Sequence, residues 1–144
     1  PDPDIAKLLA SLAYLLRGDC WRLFKTRTQV IPGVLTPLTW EQRIEDTGPF
    51  WTSATQVTIP AGKGGLYLVN LSVRSGWGDA ENIQTGIRVN GGTVIKQREG
   101  VTWIGMVHPG DVIDAFVQPF GPDTFDISPV TLTSFAGYQL RKLI

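Results

Sequence analysis

The chain has 144 residues, 42% hydrophobic and 18% charged, a balance that suits one globular domain and excludes a disordered tail. Its 13 basic and 13 acidic residues cancel, so no overall field gathers phosphate and generic nucleic-acid binding is not expected. The single cysteine, Cys20, excludes an intrachain disulfide and a paired-cysteine metal site.

The first predicted element is a helix over residues 3–17. Asp2 suits the N-cap, Pro3 the first helical position, and Gly18 the end of the helix. Ile5, Leu8, Leu12 and Leu15 recur at spacings of three and four, the seam of a short coiled coil. Ala6, Leu9, Ala13, Tyr14 and Leu16 make further faces apolar, so the helix needs a protein surface around it. Alone it is too short to be stable in water. It docks on its own β domain, on a sister chain or on a larger assembly. The apolar run over residues 5–16 is well short of the about 20 residues that cross a bilayer. Acidic Asp2 and Asp4 stand where a secretory leader carries positive charge, so no export signal is expected.

Residues 19–33 are predicted as an extended anchoring arm. Trp21, Leu23, Phe24, Val30 and Ile31 alternate with Arg22, Lys25 and Arg27, and the stretch stops at Pro32 and Gly33. Aromatics among cations suit stacking and charge contacts to nucleic acid. In a neutral protein the same pattern suits a segment that snorkels against a protein partner, and that is the expectation, with Trp21, Arg22, Phe24, Lys25 and Arg27 as the anchoring residues. The anchor is expected over residues 1–33 and the head over 34–144.

From residue 34 the pattern is of short β-type runs bounded by Gly, Pro, Asn and Asp, which predicts an all-β sandwich. Eight strands are expected, over residues 35–43, 55–59, 66–75, 82–89, 93–97, 101–107, 111–117 and 130–140, the number of a jelly roll. Turns fall at 60–65, 76–79, 90–92, 108–110 and 119–123. Alternation then sorts the side chains. Tyr67, Val69, Leu71 and Val73 share one face while Leu66 and Leu68 take the other. Val101, Trp103 and Val107 oppose Ile104 and Met106, and Val112 and Phe116 oppose Ile113, Ala115 and Val117. Strands apolar on both sides imply that the outer face of a sheet is covered as well. A second copy of the chain or the N-terminal helix is the expected cover.

Catalytic chemistry is sparse. His108, the only histidine, lies in a Pro-Gly turn, and Cys20 has no activating partner nearby in sequence. The pairs Asp79 with Glu81, Asp111 with Asp114, and Asp123 with Asp126 lack calcium-loop spacing. The glycines at 62, 64, 65, 91 and 92 lack a Walker lysine. No catalytic residue, cofactor or metal is therefore expected. Trp51, Trp77 and Phe120, in or beside predicted loops, are the candidate ligand-binding aromatics.

Several passages together resemble the jelly-roll heads of the tumour necrosis factor superfamily and of complement component-one subunit q. They are Trp40 as the aromatic of the first strand; Thr47-Gly48-Pro49-Phe50; Val57-Thr58-Ile59-Pro60 followed by Gly65-Leu66-Tyr67-Leu68; and Val89-Asn90. His108-Pro109-Gly110-Asp111-Val112 and the closing stretch from Ser134 through Phe135, Gly137 and Tyr138 to Leu140 complete the set, which covers residues 36–140. The resemblance implies a ten-strand jelly roll in a tight homotrimer around an aromatic-rich axis, with Tyr67, Trp103, Phe116, Phe135 and Tyr138 at the interface. No collagen stalk, disulfide or membrane anchor is expected with the head, and an extracellular animal protein is accordingly not the expectation. A short helix and arm before such a head resembles small bacteriophage virion proteins, held by tail or capsid through the N-terminus. The expected function is thus a trimeric minor tail or receptor-binding protein on the particle surface, assembled in the host cytoplasm. Its partners would be itself, other virion proteins, and a host-surface glycan or protein, with neither nucleic acid nor membrane insertion. A capsid decoration trimer is the alternative.

Overall fold

A computed structural model describes residues 4–8, 19–73, 83–98, 100–121, 125–127 and 133–143. Residues 4–8 are helical and the rest form a β-sandwich. Its twelve described strands are β1 (Cys20–Phe24), β2 (Gln29–Ile31), β3 (Thr36–Pro37), β4 (Gln42–Asp46), β5 (Gln56–Thr58), β6 (Gly65–Ser72), β7 (Ile83–Val89), β8 (Gly92–Arg98), β9 (Val101–Val107), β10 (Val112–Pro119), β11 (Phe125–Ile127) and β12 (Ser134–Lys142). The first sheet has the order β4-β1-β12-β6-β9; the second has the order β3-β10-β7-β8, with β5 also pairing β10. β2 and β11 form a separate pair. All pairings are antiparallel. This is the jelly-roll sandwich expected from the spacing of the apolar runs.

The core follows from alternation. On β6, Tyr67, Val69 and Leu71 are buried and Leu66, Leu68 and Asn70 are half-buried. On β12, Phe135, Gly137 and Gln139 point inward; on β10, Ile113, Ala115 and Val117 do the same from the facing sheet. Aromatic rings gather around Trp21, with ring centroids of Phe50, Phe135 and Tyr67 at 5.2, 5.6 and 6.0 Å. Gly137, opposite Trp21 on β12, makes room for that indole: a Cβ there would meet the ring at 2.1 Å. The Tyr67 hydroxyl, sealed in by burial that pushes its pKa up, donates to the Lys63 carbonyl at 2.6 Å.

Three expectations are corrected. Residues 20–24 are not an arm but a central strand, paired with β12 on one side and β4 on the other. Trp21 and Lys25 are buried, Phe24 half-buried, and only Arg22 and Arg27 of the five proposed anchoring residues are exposed. The reason is that Trp21 and Leu23 alternate with Arg22, a strand period too short to stand out until β12, more than a hundred residues away, and β4 flank it. The boundary at residue 33 therefore moves, because residues 19–31 belong to the sandwich. The strand expected over 35–43 is broken into β3 and β4, which lie in different sheets, with Trp40 between them stacked on Phe135 at 5.7 Å. Trp21, not Trp40, is thus the aromatic of the first strand.

Lys25 explains how the chain turns from β1 toward β3. Its ammonium donates to Thr39 O at 2.6 Å, Thr39 Oγ1 at 3.0 Å and Gln29 Oε1 at 3.0 Å, and lies 3.3 Å from Glu41 Oε2. Glu41 Oε1 accepts from the Thr26 and Arg27 amides. Burial lowers the Lys25 pKa, with the Glu41 carboxylate working the other way. A buried cation costs less when so fully partnered.

Candidate functional site

The outer face of the first sheet is built by the residues that alternate with the core. Register places Cys20, Tyr138, Leu68 and Ile104 in one row across β1, β12, β6 and β9. The next row toward Phe24 is Arg22, Ala136, Asn70 and Thr102, and its Thr102 Oγ1 donates to Asn70 Oδ1 at 2.9 Å. Toward the other end, Leu66 lies opposite Met106. Ile104 is 56% exposed and Met106 49%, although both are strongly apolar. Burial pushes the Cys20 thiol up to about 11, helped by Glu45, and raises Tyr138 as well. Both groups therefore stay neutral near pH 7, and the middle row carries no charge. A protonated thiol is also a poor nucleophile.

At the same end, Leu66, Met106, Arg141, Lys142 and Leu143 line a groove of about 330 Å³. The chain enters β1 beside it. Asp19 accepts a backbone hydrogen bond from Gln139 at 2.8 Å and pairs with Lys63 at 2.9 Å. Burial pushes the Asp19 carboxyl up, but the Lys63 and Thr47 hydrogen bonds and the charges of Lys63 and Lys142 outweigh it, leaving the pKa below its ordinary value.

The five residues expected at the interface do not share one surface. Tyr67 and Phe135 lie in the core between the sheets, fully buried. Trp103 faces inward and folds over Gly105, where a Cβ would meet its ring at 2.0 Å. Phe116 is on the outer face of the second sheet, opposite Gly86 and beneath the Arg88 guanidinium at 5.6 Å. Asp114 holds that guanidinium with hydrogen bonds of 2.8 and 2.6 Å. Only Tyr138 stands on the outer face of the first sheet. Tyr67, Trp103 and Phe135 thus turn toward the core, whereas Leu68 and Ile104, which alternate with Tyr67 and Trp103 and were not among the five, stand on the outer face of the first sheet.

The candidate ligand aromatics divide similarly. Trp51 is half-buried with Arg43 5.6 Å over its ring. Its loop is fixed by Asp46, whose carboxylate accepts from the amides of Gly48, Phe50 and Trp51 at 3.1, 2.7 and 3.0 Å around a cis Gly48–Pro49 bond. Phe120 is exposed, with the Arg98 guanidinium 5.1 Å from its ring. Trp77 lies outside the described residues, as do Leu12 and Leu15 of the helical seam; Ile5 and Leu8 are exposed. His108 is an exposed turn residue 3.8 Å from Asp111, and among the described residues no three metal-ligating side chains gather.

No protein-family model and no curated protein matches the sequence. Solved structures do match the fold. Murine APRIL at pH 8.0 superposes with a TM-score of 0.67 at 14% identity, over 85% of this chain and 99% of that one. Eiger TNF from S. frugiperda gives 0.67 at 11% identity, over 88% and 95%. GITRL from bushbaby gives 0.56 at 17% identity, over 88% and 97%. At such identities the likeness concerns architecture alone, and the architecture is the jelly roll of the tumour necrosis factor type.

Proposed function

We propose that this chain is a non-enzymatic binding protein that trimerises through the outer face of its first sheet. The observation that carries the reading is the row of Tyr138, Leu68 and Ile104, an uncharged apolar strip that one copy leaves partly open to water. Hiding such a strip is worth about 25 cal/mol per Å². A closed ring of identical copies hides it without creating a new open edge. The loops that carry Trp51 and Phe120 lie at opposite ends of β10, and each offers a rigid surface to a partner, as loops on a scaffold commonly do.

Within that class the reading is a bacteriophage virion protein: a minor tail or receptor-binding trimer that meets the host surface through its head and is held on the particle through its N-terminus. The apolar run ahead of the sandwich supports it, since its Ile5 and Leu8 stay largely exposed. A decoration trimer on the capsid shares this architecture and differs only in what the head contacts.

Sedimentation of the full chain tests the assembly, with a mass of three chains expected and Leu68→Asp expected to yield a folded monomer. Immunogold labelling of phage particles tests the location. Label on tail tips supports receptor binding, label over the shell supports decoration, and particles without label refute the virion reading.

A further inference from the structure

The groove at the end of the proposed trimer face has features the face itself does not explain. Its floor is apolar, from Leu66, Met106 and Leu143, while its rim is cationic, from Arg141 and Lys142. Neither cation takes part in a salt bridge among the described residues. Such a site suits an apolar segment that carries acidic groups beside its greasy ones.

The chain itself contains one. Residues 4–8 are helical, with Ile5 55% and Leu8 66% exposed, so this helix is not seated in its own groove. Its beginning is acidic, with Asp2 and Asp4 just ahead of Ile5 and Leu8. The tether also starts at the right place. Asp19 is bonded to Gln139, two residues before Arg141, and feels the charge of Lys142. Residues 9–18 reach at most about 35 Å, against a radius of gyration of about 15 Å for a domain this long. That upper limit exceeds the radius of the domain, so chain length does not forbid exchange between copies in contact, and a covalent link of this length makes docking effectively intramolecular within a ring.

We infer that the groove formed by Leu66, Met106, Arg141, Lys142 and Leu143 receives the N-terminal helix of a neighbouring copy. This rests on the self-association proposed above. Each copy gives its helix to one neighbour and accepts one from the other, so the exchange closes with the ring. Ile5 and Leu8 fill the apolar floor and the acidic start of the helix meets Arg141 and Lys142.

Disulfide trapping in the full chain tests it. Leu8→Cys and Met106→Cys are made as separate variants, so that a bond between positions 8 and 106 in their mixture must join two chains. Both sites are exposed, and the native Cys20 stays buried and protonated. After mixing, exchange and mild oxidation, peptide mapping is expected to find the 8–106 link as the main product, reduced at least fivefold when Lys142→Glu and Arg141→Glu are added to the Met106→Cys chain. A main product linking position 8 to position 8 would mean that the helices bundle together and would overturn the inference, as would the absence of any 8–106 link. A doubly substituted chain carrying both cysteines that closes only on itself would do the same. Sedimentation of the unoxidised chains separates the two levels: a trimer without the link overturns the exchange alone, whereas a monomer overturns the exchange and the self-association together.

Discussion

Gly137→Ala is a demanding test of the core, because one methyl group is set against the largest side chain in it. The Cβ would lie 2.1 Å from the Trp21 indole, far inside contact distance. Trp21 has no free direction in which to yield, being fully buried with Phe50 at 5.2 Å, Phe135 at 5.6 Å and Tyr67 at 6.0 Å. Overpacking a well-filled core costs about 1–3 kcal/mol, and this site belongs at the upper end, about 3 kcal/mol. At about 2–4 °C per kcal/mol for a chain near this length, the melting temperature falls by about 6–12 °C. Urea denaturation followed by tryptophan fluorescence measures it, at one fixed protein concentration because association shifts apparent stability. Adding Trp21→Leu should make the two substitutions cost less than the sum of their separate effects, since the methyl group then has room. A Gly137→Ala chain within about 0.5 kcal/mol of the parent, the range of ordinary surface changes, would refute the packing described for β1 against β12.

Lys25→Ala should destabilise by about 3 kcal/mol, because it strands the Glu41 carboxylate and the Thr39 carbonyl; Lys25→Ala losing less than Arg27→Ala in the same denaturation assay would contradict the clamp. For Asp19 the folded pKa lies below the ordinary value of 3.8, so its stabilisation is present above that value and is lost as pH falls through the lower folded pKa. Asp19→Asn should therefore flatten the acid limb of a stability-versus-pH curve below about pH 4, and an unchanged limb would show that the Lys63 pair contributes nothing. If the proposed receptor-binding role holds, Phe120→Ala should leave the melting temperature within about 1–2 °C while weakening adsorption of the protein to host cells, measured by pull-down; full adsorption would remove Phe120 from the binding surface.

The sandwich was legible because its later strands declare themselves locally. β9 spans the residues expected from alternation, 101–107, and β7, β8 and β10 differ from expectation by one or two positions at an end. β1 was not legible as a strand. Five residues with Arg22 in the middle and Lys25 just beyond look solvated until β12 and β4 flank them, and nothing nearby in sequence signals that Lys25 will find four oxygens. β2 and β11 are three residues each and pair across about a hundred positions, too short for a period to show. The outer face was half legible: the sequence separates Leu66 and Leu68 from Tyr67, and Ile104 and Met106 from Trp103. Which set faces the other sheet depends on tertiary pairing, and the aromatic set turned inward because large rings fill the space between sheets best.

The claim at the centre of the account is that identical copies meet on the first sheet. Sedimentation equilibrium of the full-length chain at micromolar concentration, beside its Leu68→Asp and Ile104→Asp variants, tests it most directly. The account predicts three chains per particle for the parent and one for each variant, with unchanged circular dichroism. A parent chain that sediments as a stable monomer, or variants that remain trimeric, would contradict it.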